Sequence, residues 1–205
     1  MLILIIILLS FGIAAYFYPQ MPEQMVSHWN ASGQPDGYMG KFGGLFLMPI
    51  ITLAMYLLFI IMPKIDPLKK NIEKFRVWFD SFMLIFILFF YYIYSLTIIY
   101  NFGVEFDMTK AILPAMGVLF FFIGYVLEHA KRNWFIGIRT PWTLSNDAVW
   151  DKTHVLGSKL FKIVGVITVL GILLPVNAFA VIITAIILAA IVPVVYSYFE
   201  FKKLK

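Results

Sequence analysis

Three histidines, eleven carboxylates, five tryptophans and no cysteine are the side chains from which this chain of 205 residues could build a reactive centre. Without cysteine there are no disulfides, thiolate nucleophiles or Cys-ligated zinc and iron–sulfur sites. His28 stands in one polar stretch, and His129 and His154 stand in another far downstream. The three therefore do not read as ligands of one metal. Glu128 and His129 are adjacent, which points them about 100° apart on a helix rather than onto one face. An intramembrane hydrolase needs a His-Glu zinc motif, an aspartate pair or a serine with a base, and no such set assembles. The expectation is no catalytic residue, no metal and no cofactor.

Recognition chemistry is better represented. The first polar stretch, 19–41, holds His28, Trp29, Asn30, Pro35 and Asp36. Asn30 to Gly33 suits a type I turn with Asn first and Gly last, and Gln34 to Gly37 suits another with Pro second. Two turns so close predict a compact, ordered loop. It is either a lid over the end of a helix bundle or a binding surface on which His28, Trp29, Asn30 and Asp36 meet a ligand. The second stretch, 128–156, carries Arg132, Asn133, Trp134, Gly137, Arg139, Thr140, Pro141, Trp142, Trp150 and His154. Aromatic residues interleaved with arginine are the composition of binding hot spots and of segments anchored at a membrane interface. Thr140-Pro141 favours extended backbone, after which Ser145 can cap a short helix with Asp147 in its first turn. On that helix Asp147, Trp150 and His154 share one face, which docks on the bundle or meets a partner. For Arg139, whose planar fork lysine cannot mimic, the candidate acceptors are Glu128, Asp147, Asp151 and the carbonyls ending the preceding helix.

The elements that hold these stretches are written in the composition. Apolar residues make up 62% of the chain and charged residues 13%, against about 45–50% and about 25% in soluble domains. So few charges cannot clothe a surface facing water, and the solvent must be lipid. Six segments approach the roughly 20 apolar residues that a membrane helix needs: 2–18, 42–62, 77–100, 111–127, 160–174 and 179–199. The class is all-α, a polytopic bundle of six transmembrane helices, with a two-helix unit (1–62) and a four-helix unit (63–205) that together make one folded bundle. The first segment lacks a basic leader and reads as a retained helix. Pro49 and Pro114 read as prolines near helix starts, where a missing N–H costs least.

Of the 16 basic residues, 14 fall between spans two and three, between four and five and running into the fifth, or in the tail. The positive-inside rule then puts both termini in the cytoplasm, the first polar stretch outside and the second inside. That topology also accounts for the net charge of +5 without nucleic acid as a partner. Span interiors carry scattered hydroxyls but no charge near a centre, since Asp80 and Glu128 lie near span ends. This argues against ion-coupled transport.

With Pro22, His28-Trp29-Asn30, Gly33 and Pro35-Asp36 after the first span, and Arg132-Asn133, Gly137, Arg139-Thr140-Pro141-Trp142-Thr143, Trp150 and His154 after the fourth, the chain resembles the SdpI family. These are bacterial toxin-immunity and signalling membrane proteins. The outer motif resembles a widespread membrane domain of unknown function, and Val26 stands where that pattern commonly has proline. The resemblance implies a plasma-membrane protein that protects its cell from a secreted killing-factor peptide. It also implies a receptor role in which the engaged protein holds a cytoplasmic transcriptional repressor. The competing classes are a transporter or exporter, which asks for buried charge or broken helices, and a membrane hydrolase, which asks for a catalytic set.

Overall fold

The computed structural model describes residues 1–173 and 178–204. Helix α1 (Leu2–Phe17) closes in a short 3₁₀ turn and leads into strands β1 (Gln24–Trp29) and β2 (Pro35–Gly40). Then follow α2 (Lys41–Ile65), α3 (Lys69–Glu73), α4 (Arg76–Asn101), α5 (Met108–His129), α6 (Pro141–Ser145), α7 (Asp147–Leu170) and α8 (Ala178–Lys202). Six of these helices, α1, α2, α4, α5, α7 and α8, are long and apolar enough to cross a membrane. Their large side chains are widely exposed, as on Leu8, Leu58, Leu88, Ile163 and Ile187, because lipid covers what water would not. The chain is a multi-pass membrane protein.

Two boundaries differ from the sequence expectation. The fifth span, too short at 160–174 and so expected to start earlier, starts as far back as Asp147, so the motif helix and the span are one rod; its expected end, Leu174, lies outside the described residues. Its cap is Asn146 rather than Ser145, with the Asn146 side chain accepting from the Ala148 and Val149 amides. Pro49 and Pro114 lie inside α2 and α5 and not at their starts, since these helices begin at Lys41 and Met108, ahead of the apolar runs. Each removes a helical hydrogen bond.

α5 and α7 pack with their backbones in contact. A Cβ built on Gly117 would lie 2.6 Å from the Gly165 carbonyl oxygen, and one on Gly165 would lie 2.6 Å from the Phe121 nitrogen. Lipid supplies no hydrophobic drive between helices, so small residues that allow this approach gain dispersion contacts instead. Two buried cores lie at opposite ends. One gathers Ala14, Met21, Met25, Leu45, Tyr94 and Ile98 beneath the hairpin. The other gathers Phe59, Ile72, Phe75, Phe79, Ala130 and Trp150 beneath the Arg/Trp motif. Each draws on residues from both sides of position 62.

Candidate functional site

The first motif folds as an antiparallel β-hairpin. Only one of the two expected turns forms: the Gly33 amide donates to the Asn30 carbonyl (2.9 Å), and Gly33 takes the left-handed φ of 75°. The second, Gln34 to Gly37, is replaced by the start of β2, because the Asn30 side chain already closes the reversal. Its Oδ1 accepts from the Ser32 and Gln34 amides at 2.9 and 3.2 Å. Pairing runs from Gln24 opposite Gly40 to Trp29 opposite Pro35, with an irregularity around Ser27 that bends β1.

Three anchors seat the hairpin on the bundle. Met25 is fully buried against Gly44, where a Cβ would stand 2.7 Å from the sulfur. Trp29 meets Tyr100 edge-on with centroids 5.2 Å apart. Asn101, the last residue of α4, binds both backbone groups of Val26: its Oδ1 accepts from the Val26 amide (2.8 Å) and its Nδ2 donates to the Val26 carbonyl (3.0 Å). A proline at position 26 could not make the first of these bonds. His28, by contrast, points outward and pairs with Asp36 at 2.5 Å, with side chains 71% and 44% exposed. Between the hairpin and the helices lies a cavity of about 310 Å³ that Ser27, His28, Trp29 and Asn30 share with Met48, Met108 and Met116. The structure therefore brings His28, Trp29, Asn30, Pro35 and Asp36 into one element, with only His28 and Asp36 facing solvent.

The second motif is tied together by its own polar groups. Its ends are helical: 128–129 close α5 and 147–156 open α7. Asn133 is fully buried and spends its whole hydrogen-bonding capacity. Its Oδ1 accepts from the Phe135 and Ile136 amides, and its Nδ2 donates to the Lys131 and Ile136 carbonyls. Gly137 has φ 114°, and a Cβ there would collide with the His154 ring. His154 stacks on Trp150 with centroids 4.0 Å apart. The Ile138 amide donates to its Nε2 (3.0 Å), so that nitrogen is unprotonated and Nδ1 carries the hydrogen directed at the Trp150 carbonyl (2.8 Å). Trp150 Nε1 donates to the Ala130 carbonyl. Thr140 and Thr143 form a reciprocal capping box at the start of α6, and the Thr140 hydroxyl reaches Ser197 on α8 at 3.0 Å. Pro141 is the first residue of that helix, and Trp142 packs edge-on against Tyr198.

The acceptors expected for Arg139 are not the ones it meets. Arg139 is exposed and donates to the Trp134 carbonyl (2.6 Å), not to a carboxylate or to the carbonyls ending α5. Arg132 is the one beside an acid: its Nε lies 2.8 Å from Asp147, in an ion pair whose N–H is not aligned for a hydrogen bond, and its Nη1 donates to the Leu144 carbonyl. Trp134 keeps 49% of its surface exposed.

Sequence reasoning misses Asn101, Asp66, Asn71 and Ser197. Asp66 is 2% exposed and accepts from the Leu68 amide and, through Oδ2, from the Trp134 amide (2.9 Å). Asn71 donates to the Arg132 carbonyl. An acid directly before proline in a lysine-rich loop is a signal for Asp66; an asparagine ending an apolar span is a weaker one for Asn101.

Residues 129–197 match the SdpI/YfhL protein family, and residues 5–53 match a domain of unknown function, DUF1648. Over residues 129–197 the chain is thus similar to the SdpI family. It is 27% identical over 202 residues to the "Immunity protein SdpI" of Bacillus subtilis (strain 168), covering 98% of this chain and 95% of that protein. No solved structure matches the chain. The first match takes in α1, the hairpin and the first half of α2; the second runs from the end of α5 to Ser197, the α8 residue that meets Thr140. The residues that clamp both family segments, Asn101, Asp66 and Asn71, all lie between the two matches.

Proposed function

We propose that this chain is a plasma-membrane immunity protein that protects its cell from a secreted, membrane-active peptide met on the hairpin. The collinear similarity to an immunity protein over 98% of the chain carries the reading. Support comes from the contrast between the two motifs. In the Arg/Trp motif Asn133, Thr140, Trp150 and His154 spend their polar groups on neighbouring residues, and we read it as the clamp that joins α5, α7 and α8. On the hairpin the His28–Asp36 pair, Tyr38 and Ser32 face solvent on a scaffold anchored by Met25, Trp29 and Asn101. The positive-inside rule puts both termini in the cytoplasm and the hairpin outside, where such a peptide arrives.

The test is protection of a sensitive strain against the secreted peptide fraction of a killing strain. His28→Ala and Asp36→Ala are the informative variants, because so exposed a side-chain pair contributes little to folding. Each is expected to lower the tolerated peptide concentration by about ten-fold, equivalent to about 1.4 kcal/mol of contact energy, at unchanged abundance in the membrane. A wild-type chain that gives no protection would remove the immunity reading. Full protection by both variants would remove the hairpin as the point of contact.

A further inference from the structure

The hairpin has two edges, and the helices deal with only one of them. Val26 and Tyr38 stand opposite each other. The Lys41 amide donates to the Glu23 carbonyl (3.0 Å), which makes that neighbouring pair a hydrogen-bonded one. Pairs alternate along an antiparallel ladder, so Val26 and Tyr38 form a pair whose N–H and C=O groups point away from each other, toward the two outer edges. Asn101 confirms this for β1: its side-chain amide sits on the Val26 N–H and C=O just as a peptide group of a third strand would.

The β2 edge has no such partner. The Tyr38 N–H and C=O, and the Gly40 N–H two residues on, face away from β1 and meet no other backbone or side-chain group among the described residues. β1 packs on α2 and α4, whereas β2 meets β1 and the start of α2, its own continuation. Tyr38 is 61% exposed, Gly40 is exposed, and a Cβ built on Gly40 would have nothing within 4 Å. Natural proteins blunt such edges with lysine, proline or a bulge at the unpaired positions. Here the proline stands at the first residue of β2, and the register shifts fall on the Pro35 side of the Val26–Tyr38 pair, so the ladder from Tyr38 to Gly40 is regular.

We propose that the β2 edge receives an extended segment of a peptide by strand addition, with Tyr38 and Gly40 supplying the main-chain hydrogen bonds. The occupant is a peptide backbone, because the groups offered are two amide donors and one carbonyl acceptor at strand spacing, and because the opposite edge already holds an amide in the equivalent place. This deepens the immunity reading and rests on it: backbone recognition would give affinity with little dependence on sequence, and His28 and Asp36 beside it would supply the side-chain contacts.

Proline at position 38 deletes the outward N–H while an edge strand tolerates it. In the same protection assay, Tyr38→Pro is expected to lower the tolerated peptide concentration at least about five-fold beyond Tyr38→Ala, which keeps the N–H. Proline and alanine variants that behave alike would overturn the proposal in favour of a side-chain contact or none. Should the proline variant be absent from the membrane, the wild type decides. In nanodiscs, the Tyr38 and Gly40 amides are expected to exchange hydrogen at least about ten-fold more slowly once the protective peptide fraction is added, and an unchanged rate overturns the proposal. Tyr38→Cys is expected to remain monomeric on oxidation, since the native chain has no cysteine to interfere. A disulfide-linked dimer of that variant would instead make the occupant a second copy of this chain. Loss of protection by the wild type would remove the immunity reading and this proposal together, whereas a failure confined to Tyr38→Pro and the exchange rates leaves the immunity reading standing.

Discussion

Asn101 and Asn133 do opposite jobs with the same side chain. Asn101 reaches across 75 positions to hold one strand residue, while Asn133 satisfies four groups of its own loop. Asn133→Asp replaces two donated hydrogen bonds by an anion facing two carbonyls, and a buried polar group left in that state costs about 1–3 kcal/mol, more when charged. It is expected to lower the thermal midpoint of the detergent-solubilised protein by several degrees. Asn101→Ala is expected to cost less and to act locally, raising protease cleavage within residues 19–41 while leaving α5 to α8 unaffected. Gly137→Ala combines a positive φ with a collision against His154, and strain of this kind costs about 1–3 kcal/mol. Arg139→Lys belongs at the other extreme: the guanidinium makes one hydrogen bond, to a carbonyl, and an ammonium can make the same one. A thermal shift within error is expected for it, where a carboxylate fork would have predicted a loss.

At the scale of elements, the seam between α5 and α7 is set by glycine. Gly165→Leu must push the Phe121 backbone away, and the helices can separate only by giving up contacts along their whole length. Overpacking of this sort costs about 1–3 kcal/mol. Gly12 in α1 has nothing within 4 Å of a built Cβ, so Gly12→Ala is expected to be neutral or slightly stabilising in the same thermal assay. The spans are legible in the sequence because lipid asks only for length and apolarity. The hairpin is not. Gln24 to Trp29 has no clean alternation, since β1 bends at Ser27, and Pro35-Asp36-Gly37 carries the residues of a turn. What straightens that stretch is distant: Met25 in its core against Gly44, and Val26 on Asn101. The motif helix fails to read as part of the fifth span for a related reason. The polar residues Asp151, Lys152, Thr153 and His154 interrupt the apolar run, yet Thr153 and His154 are buried, His154 against Gly137 and Ile138 of the preceding loop. The motif residues themselves are legible as a set, but which arginine meets which acid depends on backbone turns that local sequence does not encode.

The whole molecule has a polarity that both motifs share. The hairpin and the Arg/Trp motif lie at opposite ends of the bundle, each closing over its own buried core, and six crossings put both termini on one side. Charge gives the side we propose. Placing the 14 basic residues of the motif end and tail outside would work against the bias that orients membrane helices during insertion, whereas placing them inside leaves only Lys41 and Lys110 with the hairpin. Ser32 at the hairpin tip and Ser145 at the end of α6 are both exposed, and the chain has no native cysteine, so single cysteines at these two positions report on opposite faces without background. On intact cells an impermeant thiol reagent is expected to label Ser32→Cys and to spare Ser145→Cys until the membrane is opened. Labelling of Ser145→Cys alone would invert the molecule, leaving the hairpin facing the cytoplasm, out of reach of any secreted peptide.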